Sequence, residues 1–130
     1  MSKALIFPGQ GSQVVGMGKD LFDEYESARS VFLEVDEALK KELSKIIFYG
    51  PERDLLLTEN AQPALMAMSV AVVRVLEGNG LKIQDYEFVA GHSVGEYTAL
   101  TAANAIKLSD AAIALQKRGE LMQKAVPIGR

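Results

Sequence analysis

Five consecutive residues, Gly91-His92-Ser93-Val94-Gly95, have the spacing G-x-S-x-G. In that pattern the glycines allow a sharp, strained turn between a strand and a helix, a nucleophile elbow on which a serine hydroxyl stands clear of the backbone. The surroundings agree, because the apolar run Phe88-Val89-Ala90 precedes the motif and a helical pattern opens near Val94. A serine at a helix start has the Val94 amide and the positive helix end beside its oxygen, an arrangement suited to a tetrahedral oxyanion. A plainer reading competes, since Ser93 and Glu96 also fit an S-x-x-E capping box. A cap alone, however, requires neither Gly91 nor Gly95.

An oxyanion hole needs a second donor from another loop. The turn after the first apolar run, Pro8 to Gln13, would bring the Gln10 amide there if the two strands are neighbours. The loop is not a nucleotide-binding motif. The third glycine of G-x-G-x-x-G is replaced by Val14, and a P-loop would need a glycine at Gln13 and a hydroxyl residue at Asp20. Taken alone it reads equally as a glycine turn with no ligand. His92 is the single histidine of the chain. Adjacent side chains on a sharp turn point apart, and a base must approach the serine oxygen to about 2.6 to 3.2 Å. His92 is therefore expected to be structural, a hydrogen-bonded wall of the turn, with Gly91 and Gly95 serving its backbone.

Arg118 is the most informative charge. At about 100° per residue, Ala111, Ala114, Leu115, Leu121, Met122 and Ala125 share one side of the last helical segment, and Arg118 projects from the middle of that side. A guanidinium on an apolar face must meet a carboxylate, either of the protein or of a ligand.

The elements that must position these groups follow from periodicity. Ala4 to Phe7 reads as a buried strand ended by Pro8 and Gly9, and Phe88 to Ala90 as a second strand. Ser27 to Leu39 places Ala28, Val31, Phe32, Val35, Ala38 and Leu39 on one helical face, and Gly50-Pro51 marks a later turn. A long helix is expected from about Ala61 to Glu77, with Thr58 as its cap, Pro63 in its first turn, and Leu65, Met68, Val72, Val73 and Leu76 on its buried side. Gly78 and Gly80 would end it. A last helix would start after a Ser109 cap and run to about Ala125, ahead of Pro127 and Gly129. Strands separated by helices indicate a parallel α/β arrangement, and two strands are few for such a sheet.

Composition closes several alternatives. The chain has 130 residues, 48% of them hydrophobic, with no cysteine and a net charge of −3. Disulfide frameworks, cysteine nucleophiles and His/Cys zinc sites are excluded, and an acidic chain is a poor ligand for nucleic acid. The longest apolar run, Ala64 to Val73, is well short of the roughly 20 residues of a membrane span. The segment before Pro8 is too short for a signal peptide. A cytoplasmic location is expected.

Four blocks carry a resemblance: FPGQGSQ at Phe7 to Gln13, TENAQPAL at Thr58 to Leu65, GHSVGEY at Gly91 to Tyr97, and RGELMQ from Arg118 to Gln123. In this order they closely resemble malonyl-CoA:acyl carrier protein transacylases, and they are similar to the acyltransferase domains of fatty acid and polyketide synthases. The resemblance implies that Ser93 takes a malonyl group from malonyl-CoA as an ester and passes it to the phosphopantetheine thiol of acyl carrier protein. It assigns the oxyanion hole to the Gln10 and Val94 amides and the malonyl carboxylate to Arg118, with no bound cofactor or metal. It also implies an α/β-hydrolase-like core with parallel strands. Family members are much longer, with a ferredoxin-like small subdomain, further strands and a catalytic histidine after this point. Residues 1–125 then correspond to the amino-terminal part of the large subdomain, and 126–130 to the start of the connector. The alternatives are a serine esterase or thioesterase using the same turn, which has no need of Arg118, and a non-catalytic truncated fragment.

Overall fold

A computed structural model describes residues 3–126. Two parallel strands, β1 (Ala4–Phe7) and β2 (Phe88–Gly91), pair in the register Leu5 with Val89 and Phe7 with Gly91. Between them run α1 (Lys19–Glu24), α2 (Glu26–Leu39), α3 (Leu43–Tyr49), α4 (Glu52–Leu56) and α5 (Thr58–Gly78). After β2 come α6 (Val94–Ala102) and α7 (Leu108–Ala125). This is an α/β arrangement with a small parallel sheet. Pro127 and Gly129, with the end of the expected connector, lie outside the described residues.

The helices bury one apolar body. In α2 the buried side is Ala28, Val31, Phe32, Val35 and Leu39, which is the periodic face of the sequence. It meets the middle of α5 and the edge-to-face cluster of Phe22, Phe32 and Phe48, whose ring centroids lie 5.1 to 6.1 Å apart. α5 is the central element. Ala61 to Ala67 are all buried, because α2, α6 and α7 pack around it. A helix enclosed on most sides has no single buried stripe, so the expected stripe is only partly met: Leu65 and Val73 are buried, Met68 and Val72 half-buried, and Leu76 exposed.

Two caps lie one and two residues ahead of the expected ones, at Leu57 and Lys107. α5 already begins at Thr58, so Thr58 is helical and Pro63 lies beyond the first turn. α7 begins at Leu108, and Ser109 is its second residue. In both, tertiary packing extends the helix past the residue that local chemistry would favour as the cap. The helices α1, α3 and α4 carried no periodic signal long enough to be read.

One face of the sheet, with Leu5, Phe7 and Val89, packs on Val73, Ile83, Ala99 and Ala102. The other face carries Ala4, Ile6, Phe88 and Ala90. Ile6 is 78% exposed and Phe88 61% exposed, although parallel strands are normally covered on both faces.

Candidate active site

The site forms where both strands end and two helices begin. β2 delivers Ser93 to the entrance of α6 with φ 57° and ψ −116°. This lies outside even the left-handed helical well, and holding a non-glycine residue there costs about 1 to 3 kcal/mol. The two glycines explain how the turn closes. A Cβ on Gly91 would lie 2.0 Å from the Gly95 carbonyl, and one on Gly95 would lie 2.4 Å from the Phe7 carbonyl oxygen. The first turn of α6 therefore rests directly on the ends of β2 and β1. Ser93 makes no capping hydrogen bond, so the capping box is not formed.

The loop after β1 closes against the same turn. A Cβ on Gly9 would lie 2.9 Å from the His92 carbonyl oxygen, which places Gln10 next to the serine turn. The exposed side-chain amide of Gln10 makes a long hydrogen bond to Thr58 Oγ1, at 3.5 Å. Its backbone N–H donates to no group among the described residues. As the first residue of α6, Val94 likewise has no intrahelical acceptor for its N–H.

His92 differs from expectation. It is exposed, and its imidazole makes no hydrogen bond among the described residues. The contribution is from its backbone: its N–H donates to Phe7 O at 3.3 Å and its carbonyl accepts from Gly95 N at 3.0 Å. The wall of the turn is main chain.

Arg118 reaches the serine from α7. Its guanidinium donates to Ser93 Oγ at 3.1 Å and to Gln62 Oε1 at 2.7 Å, and lies 5.7 Å from the centroid of the Tyr97 ring. Among the described residues it has no carboxylate within ion-pairing distance. An internal ion pair, one of the two partners open to it from periodicity, is thereby excluded for this part of the chain. The apolar side of α7 is divided. Ala111, Ala112, Leu115 and Gly119 pack inward, while Ala114, Leu121, Met122 and Ala125 join Tyr97 around an open hollow beside Arg118.

Two site residues were not found from the sequence. Gln62 is fully buried in α5, and Tyr97 places its ring under the guanidinium. Gln62 lies in the buried run Ala61 to Ala67, whose other residues are all apolar, so an amide there was a signal of polar company nearby. Gly119 makes the contact possible. A Cβ at that position would lie 2.5 Å from the Thr58 carbonyl oxygen, so only glycine lets α7 approach the start of α5 closely enough for Arg118 to reach Gln62. Gly119→Ala is expected to lower stability by about 1 to 3 kcal/mol through overpacking, read from denaturant unfolding. An unchanged midpoint would show that the two helices part without cost.

No group of three His, Asp or Glu side chains among the described residues is arranged to hold a metal, and no helix is long and apolar enough to cross a membrane.

A small parallel α/β sheet with a strained serine at a strand-to-helix turn and an arginine over it is the pattern of acyl-transfer proteins. Residues 4–130 match the acyl transferase domain family, and the chain belongs to it. The malonyl CoA-acyl carrier protein transacylase of Bacillus subtilis strain 168 is 49% identical over 130 residues, covering 99% of this chain and 40% of its own. A crystal structure of acyl-carrier-protein-S-malonyltransferase from Bartonella henselae superposes with a TM-score of 0.95 at 56% identity, over 99% of this chain and 41% of the other. A complex of a type II polyketide synthase acyl-carrier protein with its malonyl-transacylase superposes with a TM-score of 0.90 at 42% identity, over 98% and 40%. The chain thus spans about 40% of the length of the relatives it matches.

Proposed function

We propose that this chain is the amino-terminal part of a malonyl-CoA:acyl carrier protein transacylase. The observation that carries the reading is the Arg118 guanidinium, hydrogen-bonded to Ser93 Oγ and lacking a carboxylate partner in the described part of the fold. A cation fixed beside a nucleophile and left uncompensated suits an acyl group that carries its own carboxylate. The planar guanidinium fork can hold that carboxylate with two parallel hydrogen bonds. A plain esterase or thioesterase gains nothing from such a group.

The chemistry is a double displacement. Ser93 Oγ attacks the thioester carbonyl carbon as its proton passes to a base supplied by the rest of the complete protein, which returns that proton to the departing coenzyme A sulfur. The carbonyl π pair moves to oxygen, where the Gln10 and Val94 N–H groups stabilise the anion. Collapse expels coenzyme A as its thiol, leaving malonyl on Ser93. The phosphopantetheine thiol of acyl carrier protein then attacks the ester, and the serine leaves with a proton. Every transferred atom comes from the thioester, so the reaction calls for no bound cofactor. The serine turn acts as a nucleophile elbow in an α/β-hydrolase-like core. Residues 1–125 belong to the large subdomain and 126–130 begin the connector to a ferredoxin-like one, with the remaining strands supplied by later sequence. Such an enzyme works in the cytoplasm, where coenzyme A thioesters and carrier protein are found.

Arg118→Ala in the complete protein containing these residues tests the reading. Malonyl transfer should fall by roughly 30-fold or more, the loss typical when one side of a hydrogen-bonded charge pair is removed, while acetyl transfer is retained or rises. Equal losses for malonyl-CoA and acetyl-CoA would overturn it.

A further inference from the structure

Arg118 is held by a group of no charge. Gln62 is fully buried in the second turn of α5, and its Oε1 accepts the 2.7 Å hydrogen bond from the guanidinium. Its Nε2 donates to the thioether of Met122 at 3.1 Å. The two partners fix which way the amide faces. A guanidinium can only donate and a thioether can only accept, so turning the amide over would set donor against donor and acceptor against acceptor. A buried glutamine could have been a glutamate, the commoner partner for arginine, and a glutamate here would form a buried ion pair across the same distance. That pair would satisfy Arg118 internally and remove the reason for a second carboxylate to bind. The neutral amide gives direction without neutralisation.

We infer that Gln62, oriented by Met122, is the positioning residue that holds the Arg118 guanidinium over Ser93 with its charge uncompensated, and so sets the preference for acyl groups bearing a free carboxylate. The inference rests on the reading of Arg118 given above and adds the residue that makes its selectivity work. It also explains why α7 must approach the start of α5 as closely as Gly119 allows, since a wider gap would break the contact with Gln62.

Two substitutions in the complete protein test it, each measured as kcat/KM for malonyl-CoA and for acetyl-CoA, with thermal unfolding as the control for folding. In Gln62→Glu the malonyl value should fall about a hundredfold, chiefly through KM, as the internal pair competes with the substrate carboxylate. Acetyl transfer should fall far less, so the malonyl-to-acetyl ratio collapses. Gln62→Met keeps the volume, removes the acceptor and adds no charge. It should lower the malonyl value by a smaller factor, about tenfold, again through KM. If Gln62→Glu does not fold, the KM effect and ratio change in Gln62→Met decide alone. Parallel losses of malonyl and acetyl transfer in the folded variants, or a preserved ratio, would overturn the role of Gln62. Failure of the underlying reading has a different signature: the unsubstituted protein itself would not distinguish malonyl-CoA from acetyl-CoA.

Discussion

Ser93→Gly in the complete protein containing these residues should take up no malonyl group, and transfer to acyl carrier protein should fall by at least about ten-thousandfold. The loss should come without loss of fold. Ser93 is held at φ 57°, ψ −116°, a conformation that costs a side-chain-bearing residue about 1 to 3 kcal/mol and that glycine adopts freely. The variant should therefore unfold at the same or a higher denaturant concentration than the parent, which separates loss of the nucleophile from collapse of the turn. Intact mass after mixing with malonyl-CoA gives the direct readout. The parent should gain one malonyl unit, located by peptide mapping to the segment containing Ser93, and Ser93→Gly and Ser93→Ala should gain none. A label elsewhere, or substantial transfer by either variant, would sink the assignment. A more stable but inactive variant would further show that the strain is maintained for the exposure of the hydroxyl.

The parts of this site that were legible in the sequence are those set by local sterics. Gly91 and Gly95 announced a turn without room for side chains, and the structure shows why, since each added Cβ would collide with main chain of the adjoining segment. The position of Arg118 on an apolar helical face likewise pointed to a partner. Its partner could not be named, because Gln62 lies 56 residues away and meets Arg118 only when α5 and α7 pack together. Tyr97 was hidden for the same reason. Among the elements, α2 was readable because one face of it meets the core, whereas α5 is packed against by five other helices and its buried set follows the neighbours. The short helix α3 has no capping bond from the residue before it. Its start is held by Asp36 of α2, which accepts a hydrogen bond from the Ser44 amide at 2.9 Å, so no local pattern announced it. Thr58 and Ser109 misled because both are good caps, yet helix packing carried α5 and α7 past them.

Residues 1–130 made alone are expected to transfer malonyl groups at a rate several powers of ten below that of a complete transacylase. A serine hydroxyl at neutral pH needs a positioned base to take its proton, and without one nucleophilic catalysis loses about four to six powers of ten. The single imidazole of the sequence, His92, is exposed and makes no hydrogen bond to Ser93, while the hydrogen-bond partner of Ser93 Oγ, Arg118, is itself a donor. A guanidinium cannot serve as the base. It does, however, lower the energy of developing negative charge, so residual ester formation on Ser93 over hours is compatible with the site, and turnover is not. The bare sheet face should act in the same direction. Ile6 and Phe88 together present apolar surface that a solitary chain would bury by self-association, seen as a concentration-dependent sedimentation coefficient. The relatives continue well beyond the matched segment, so the corresponding remainder of the Bacillus subtilis protein, added as a separate polypeptide, is the natural complement. Addition should suppress self-association and restore transfer together, because the same residues would cover the sheet and bring a base to Ser93. Restored solubility without transfer would mean that the base comes from elsewhere. Enzyme-like turnover by residues 1–130 alone would mean that one of the carboxylates or His92 reaches Ser93 in a rearranged turn.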